Sequence, residues 1–161
     1  MLLVCRYKGD LGELESMLDM GADVNALGAQ DRTPLHRAIG GKSAAATRLL
    51  ISRGASVQLA DNAGRTPMHW AAIVGSVDCA QVLADNQAPL DSLTKTGKTP
   101  LHMAAEAGNV DVVKFFIARG VDLTVKDGKN QTAFDLAKKG GHKEVMALVK
   151  PKGKGGGCAI M

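Results

Sequence analysis

Three histidines recur at equal spacing and are the first residues of this sequence to suggest chemistry. His36, His69 and His102 stand 33 residues apart, and histidine is the commonest protein ligand of metal ions. Zinc ligands must converge within about 2.1 Å of a single ion, whereas equivalent positions in successive helical units lie about 10 Å apart. We therefore predict no metal site at these histidines.

A second candidate is the segment Gly40–Ser43, which reads Gly-Gly-Lys-Ser and resembles the end of a phosphate-binding loop. The full pattern requires a glycine where His36 stands and a strand before it, so the match fails. No Ser-His-Asp or Cys-His set appears outside the repeated residues. The sequence therefore predicts neither an enzyme nor a bound cofactor.

The strongest chemical signal lies in the last residues, Cys158, Ala159, Ile160 and Met161. They fit the prenylation pattern of a cysteine, two aliphatic residues and a terminal residue, and a terminal methionine selects farnesyl. The glycine- and lysine-rich tail 151–161 is flexible enough to enter a prenyltransferase. We expect Cys158 to become a farnesyl thioether, followed by removal of Ala159–Met161 and methylation. The alternative is an unmodified disordered tail.

Membrane attachment through one lipid chain would be marginal without a second signal. Lys150, Lys152 and Lys154 supply one, at about 1 kcal/mol each near an anionic leaflet. We therefore expect weak, reversible binding as a peripheral lipoprotein. The alternative is a farnesyl group that docks into a protein pocket.

The beginning of the chain and its cysteines indicate a compartment. Residues 1–6 lack the basic lead-in and the long apolar run of a secretory signal. Cys5, Cys79 and Cys158 are an odd, widely spaced set that does not resemble a disulfide framework. We expect a cytoplasmic protein that attaches to the cytoplasmic face of a membrane.

The net charge of +4 is confined to one end of the chain. Residues 1–131 contain 14 basic and 14 acidic side chains, so residues 132–161 carry all of the excess. A nucleic-acid surface spreads positive charge along the fold and adds stacking aromatics, but aromatic residues make up only 3% of this chain. We predict no nucleic-acid partner.

The histidines belong to a larger repeated motif that positions them. Thr-Pro-Leu-His or a close variant occupies Thr33–His36, Thr66–His69 and Thr99–His102, and Thr132–Asp135 is a degraded fourth copy. Threonine can cap a helix, proline suits its first position, and histidine can complete a capping box. Each copy therefore opens a helix, which a glycine such as Gly108 ends.

A second helix follows each of these glycines, and a short polar segment then leads to the next motif. The helix of one copy runs from Val110 to Gly120, and the polar segment Asp61–Arg65 is typical of a hairpin-like finger. A helix pair of this size cannot bury its apolar face alone, so the copies must stack.

The motif Thr-Pro-Leu-His-x-Ala-Ala, the period of 33 and the segment Gly21–Asn25 resemble the ankyrin-repeat family. The resemblance implies an all-α repeat solenoid, a stack of helix-turn-helix units with hairpin-like finger loops. It covers residues 1–150, which divide into a partial N-terminal repeat 1–32, full repeats 33–65, 66–98 and 99–131, and a partial C-terminal repeat 132–150.

Three residues depart from the family pattern. Lys42 replaces the glycine that ends an inner helix, and Gln87 and Pro89 replace the glycine and aspartate of a loop. We expect a loosened inner helix in repeat 33–65 and local irregularity near residue 87.

The resemblance also implies where a partner binds, since relatives use the concave surface formed by fingers and inner helices. Carried over by position, this surface comprises Asn62, Ala63, Arg65, Ile73, Val74, Lys95, Thr96, Lys98, Glu106 and Ala107, with Arg53, Asn86 and Arg119 along its edge. Basic finger residues hint at an acidic protein partner. Trp70 is either a partner anchor or a core residue.

These features predict a non-catalytic adaptor or scaffold, monomeric outside its complexes. Its concave surface would capture a protein, and the lipid would place that protein at a membrane. The alternative is a structural subunit of a larger assembly, such as a cytoskeletal complex, with the tail or lipid held by protein.

Overall fold

The computed structural model describes residues 10–152, so Cys158–Met161 and Lys154 lie outside the described residues. Within this range there are nine α-helices, a 3₁₀ turn at Ala29–Asp31 and no strand. The helices are α1 (Leu11–Asp19), α2 (Pro34–Gly40), α3 (Ala44–Ser52), α4 (Pro67–Val74), α5 (Val77–Asp85), α6 (Pro100–Ala107), α7 (Val110–Ala118), α8 (Ala133–Gly140) and α9 (Lys143–Val149).

The helices form two layers. Inner helices α2, α4, α6 and α8 pack on one another in order, and outer helices α1, α3, α5, α7 and α9 do the same beside them. Alanines fill the inner interfaces: Ala71, Ala72, Ala104 and Ala105 are fully buried. Their small side chains let the helix backbones approach closely. The predicted all-α repeat solenoid is confirmed.

The inner helices begin as the sequence predicts. A threonine caps α2, α4, α6 and α8, and a capping box closes the first turn of each. In the first three, the threonine backbone N–H donates to histidine Nδ1 at 3.1 Å. In α8, Asp135 takes the place of the histidine and accepts from Thr132 N at 2.9 Å.

The second ring nitrogen of each histidine reaches into the next repeat. Nε2 of His36, His69 and His102 lies 3.0 Å from the carbonyl oxygen of the residue 29 positions later. Because Nδ1 accepts a backbone N–H, Nε2 must carry the proton and donate it. Each histidine is therefore a neutral link between two repeats, with both nitrogens engaged. Burial lowers the pKa of all three imidazoles.

The fingers, which we define as residues 28–32, 61–65, 94–98 and 127–131, are joined to one another. A backbone hydrogen bond of 2.8–2.9 Å from the first residue to the fifth residue's carbonyl closes each finger. Asn62 N donates to Gln30 O, Lys95 N to Ala63 O and Gly128 N to Thr96 O, at 2.9–3.1 Å. A Cβ at Gly64 would lie 2.7 Å from Lys95 N, so this close approach requires glycine there.

The two departures from the glycine pattern keep the backbone conformation that glycine would adopt. Lys42 and Gln87 have φ of 57° and 62°, in the left-handed region that costs a non-glycine residue about 1–2 kcal/mol. Helix α2 is only one residue shorter than α4 and α6. The expected loosening is therefore confined to the helix end, and it takes the form of backbone strain.

Gly75, at the position equivalent to Lys42, is constrained further by its neighbour. Asn109 of the following repeat donates from Nδ2 to Ala72 O and Ile73 O at 2.7 and 2.9 Å. A Cβ on Gly75 would approach Asn109 to 2.8 Å. The residue that corresponds to Asn109 one repeat earlier is the smaller Ser76. This difference explains why a side chain is tolerated at position 42.

A first prediction concerns the histidine links. Unfolded histidine titrates near pH 6.5, whereas the buried imidazoles stay neutral to lower pH. The free energy of unfolding should therefore fall as pH drops from 7.5 to 5.5, because unfolding the chain takes up as many as about three protons. His69→Gln retains a residue that can complete a capping box and should reduce this uptake, by at most one proton. Urea unfolding at several pH values measures this uptake. Equal pH slopes of the free energy of unfolding for the parent protein and His69→Gln would contradict a neutral, buried His69.

A second prediction concerns the left-handed positions. Lys42→Gly should raise the free energy of unfolding by about 1 kcal/mol, since glycine relieves the strain at positive φ. Gly75→Ala should lower it by more than that, because strain and the contact with Asn109 add. Urea unfolding of both variants measures the pair, and a Lys42→Gly protein no more stable than the parent would show that φ is not strained there.

Candidate functional site

The links between repeats end at the last residue of a finger. The carbonyls of Arg65, Lys98 and Gln131 accept the three histidine bonds. Together with Arg32 these residues form one column, each just before a capping threonine. The histidine links therefore fix the backbone position of Arg65, Lys98 and Gln131. This column can be read from the sequence, because its residues recur at the spacing of 33.

Several of the predicted partner-binding residues meet in two neighbouring depressions between fingers. The first has a volume of about 180 Å³ and is lined by Ala63, Arg65, Thr94, Thr96, Lys98 and Met103. The second has a volume of about 570 Å³ and is lined by Thr94, Lys95, Thr96, Gly97, Gly128 and Lys129. Asn62 is exposed in the finger before them. Thr94 and Met103 were missed because their place in the repeat gives no sign that they line these depressions.

Lys98, the last residue of repeat 66–98, and Glu106 of α6 face each other on the inner side of the stack. Lys98 Nζ lies 2.6 Å from Glu106 Oε2, and the side chains are 20% and 49% exposed. An exposed pair of this kind adds little stability, but it orients both groups. Ala107 is exposed at the end of the same helix, whereas Ile73 and Val74 are half-buried at the end of α4.

The three residues predicted at the edge of the surface lie in the outer layer. Arg53, Asn86 and Arg119 each end an outer helix. Arg53 pairs with Asp19 of α1 at 2.7 Å, and Arg119 donates to Gln81 of α5 at 2.9 Å. Asn86 donates from Nδ2 to Val82 O of its own helix at 2.8 Å. All three therefore lie in the outer layer, and the structure does not bring them together with the finger residues.

Trp70 is half-buried and combines features of both predicted roles. Its ring packs against the core, and its Nε1 donates to Asp61 Oδ2 at 3.1 Å. The guanidinium carbons of Arg32 and Arg65 lie 4.4 and 4.9 Å from its ring centroid. Trp70 is therefore a core residue whose indole also supports two arginines.

Asp61 accepts the hydrogen bonds that hold Arg65 and Trp70 in this arrangement. Its Oδ1 accepts from the backbone N–H of Ala63 and Arg65 at 3.0 Å each, and its Oδ2 accepts from Arg65 Nε at 2.9 Å. Burial opposes ionisation, but these hydrogen bonds and that of Trp70 outweigh it and lower the pKa of Asp61. The carboxylate is thus ionised and neutralises one of the two arginines.

Charge is divided between the two faces of the described residues. The fingers hold five basic side chains: Arg32, Arg65, Lys95, Lys98 and Lys129. Of their three aspartates, Asp61 and Asp127 are buried, at 4% and 7% exposure. The outer layer is acidic instead, with Arg48, Arg53, Lys114, Arg119 and Lys143 against Glu13, Glu15, Asp19, Asp78, Asp85, Asp111 and Glu144. The finger side therefore offers the basic surface.

Between residues 10 and 152, no helix has both the length and the apolar character to cross a bilayer. Over the same residues, no three histidine, cysteine, aspartate or glutamate side chains are placed to share a metal ion.

Comparison with protein families agrees with the repeat geometry. A family model described as ankyrin repeats in three copies matches residues 1–92, and a second, described as ankyrin repeats in many copies, matches residues 83–137. Among curated proteins none matches the chain. The first model alone spans more than half of the 161 residues, and the capped inner helices, left-handed turns and linked fingers recur through the described stack. The chain therefore belongs to the ankyrin-repeat family.

Proposed function

We propose that this protein is a non-catalytic adaptor that binds an acidic protein partner on the surface formed by its fingers and inner helices. Ankyrin repeats are protein-interaction modules, and the division of charge supports this surface over the outer one. Five basic side chains project from the fingers, whereas acidic groups predominate on the outer helices. A partner with acidic character is attracted to the first face and repelled by the second.

The geometry of the fingers favours binding without rearrangement. Backbone hydrogen bonds join adjacent fingers, and the histidine links tie the inner helices to them. A surface whose backbone is already fixed loses little conformational entropy on binding. Affinity then depends on the basic side chains that the fingers present.

We further propose that the tail places this complex at a membrane. The support is the sequence Cys158–Met161 and the lysines before it; Lys150 and Lys152 are exposed just after α9. A prenyltransferase reads this pattern only at a free C-terminus. A farnesyl group on Cys158 and the lysines would together give reversible attachment to the cytoplasmic face.

The binding face can be tested by site-specific photo-cross-linking in cells. A photoreactive amino acid at Lys95 or Asn62 should cross-link the same partner protein, because both side chains are exposed on fingers. The matched positions are Arg48 and Lys114, exposed on outer helices, where that partner should be absent. Gel mobility and mass spectrometry identify the product.

Equal yields of that partner from both faces would contradict the proposed surface. A complex that cross-links all four positions and resists high salt would favour the structural-subunit alternative, since an interface built on exposed charges weakens as salt screens them.

The tail proposal predicts the behaviour of two variants. Cys158→Ser removes the only thiol that can be farnesylated in this motif and should move the protein from the membrane to the soluble fraction. Alanine at Lys150, Lys152 and Lys154 keeps the lipid and should weaken vesicle binding about a hundredfold, less in high salt. Intact mass first has to show farnesyl on Cys158; an unmodified cysteine in cells that contain prenyltransferase would overturn the proposal.

A further inference from the structure

Arg32 and Arg65 occupy the same position in successive fingers but have different partners. Arg65 Nε bonds to Asp61, the first residue of its own finger. The residue that corresponds to Asp61 in the preceding finger is Gly28, which has no carboxylate to offer. Arg32 therefore lacks the acid that neutralises its counterpart.

The surroundings of Arg32 supply no replacement. Its Nε is buried and has no hydrogen-bond partner among the described residues, and none of their carboxylates forms an ion pair with it. A guanidinium has five N–H donors and stays charged at every physiological pH. The first finger thus carries a cation whose donors are not used within the described fold.

Trp70 holds this cation in place. The Arg32 guanidinium carbon lies 4.4 Å from the indole centroid, and the indole is anchored by its own bond to Asp61. With Nε buried, a guanidinium supported on an aromatic face offers the N–H donors of its two Nη groups to a planar acceptor. A carboxylate matches that edge with two parallel hydrogen bonds.

We infer that Arg32, supported by Trp70, is the anchor for an aspartate or glutamate side chain of the partner. This inference rests on the proposed function and specifies it. Arg65 lies over the same indole and adds positive potential, but Asp61 already neutralises it. Arg32 is therefore the residue in this cluster that carries uncompensated charge.

Trp70 is the one tryptophan of the chain, so its fluorescence reports on this site directly. Hexaglutamate added at low ionic strength should change the Trp70 emission saturably, and hexalysine should not. Arg32→Gln should weaken hexaglutamate binding at least about tenfold, since a lost charged hydrogen bond costs more than a neutral one. Arg32→Lys keeps the charge but loses the planar edge. Its affinity for hexaglutamate should therefore lie between those of the parent protein and Arg32→Gln.

The matched control is Arg48→Gln, which removes an exposed arginine from outer helix α3. It should bind hexaglutamate as the parent does. Circular dichroism and the melting temperature confirm that each variant is folded before its affinity is compared.

Three results would overturn the inference. If Arg32→Gln and Arg48→Gln bind hexaglutamate equally, Arg32 is not the anchor, although the adaptor function stands as long as cross-linking maps to the fingers. If no folded variant binds up to millimolar peptide, the acidic partner is wrong. If an oligothymidylate of six nucleotides binds more tightly than hexaglutamate through Arg32, the ligand is a nucleic acid instead of a protein.

Discussion

The hydrogen bond from histidine Nε2 to a carbonyl in the next repeat is the interaction on which this architecture depends. One imidazole caps its own helix through Nδ1 and fixes the following finger through Nε2. Protonation of the ring would keep the Nε2 donor but break the helix cap, because Nδ1 would then face a backbone N–H as a second donor. Burial favours the neutral ring, so packing and hydrogen bonding support the same protonation state. The stability of a stack held by such local links is roughly a sum of unit and neighbour contributions, since each unit contacts only its neighbours.

The same links explain how a repetitive scaffold presents a particular surface. They act on the backbone and leave the side chains of the fingers free to vary. In the column before the capping threonines this freedom yields Arg32, Arg65, Lys98 and Gln131. Identical backbone contacts therefore support different surface chemistry in each repeat. The charged surface comes from the variable positions, and its rigidity comes from the repeated ones.

Much of this fold could be predicted from the sequence because its determinants are local. Thr33, Pro34 and His36 specify a helix start within four residues, and the period of 33 then repeats the unit. Contacts between side chains far apart in sequence could not be predicted in the same way. The support of Arg32 by Trp70 depends on how neighbouring repeats pack. The glycine at position 28 is visible in the sequence, but its consequence for Arg32 follows only from that packing. The outer-layer position of Arg53 and Arg119 depends on long side chains that reach the preceding repeat. The strain at Lys42 replaced the expected loosening because helix packing holds that turn in its left-handed form.

The most direct test of the central link is the protonation pattern of the imidazoles, read from long-range ¹H–¹⁵N correlation spectra near pH 7. The structure predicts that His36, His69 and His102 are neutral and carry their proton on Nε2, since Nδ1 accepts from a threonine N–H in each. Cross-peaks for the Nδ1-protonated tautomer, or for charged rings in the folded protein at this pH, would contradict it, because such rings could not both accept at Nδ1 and donate at Nε2.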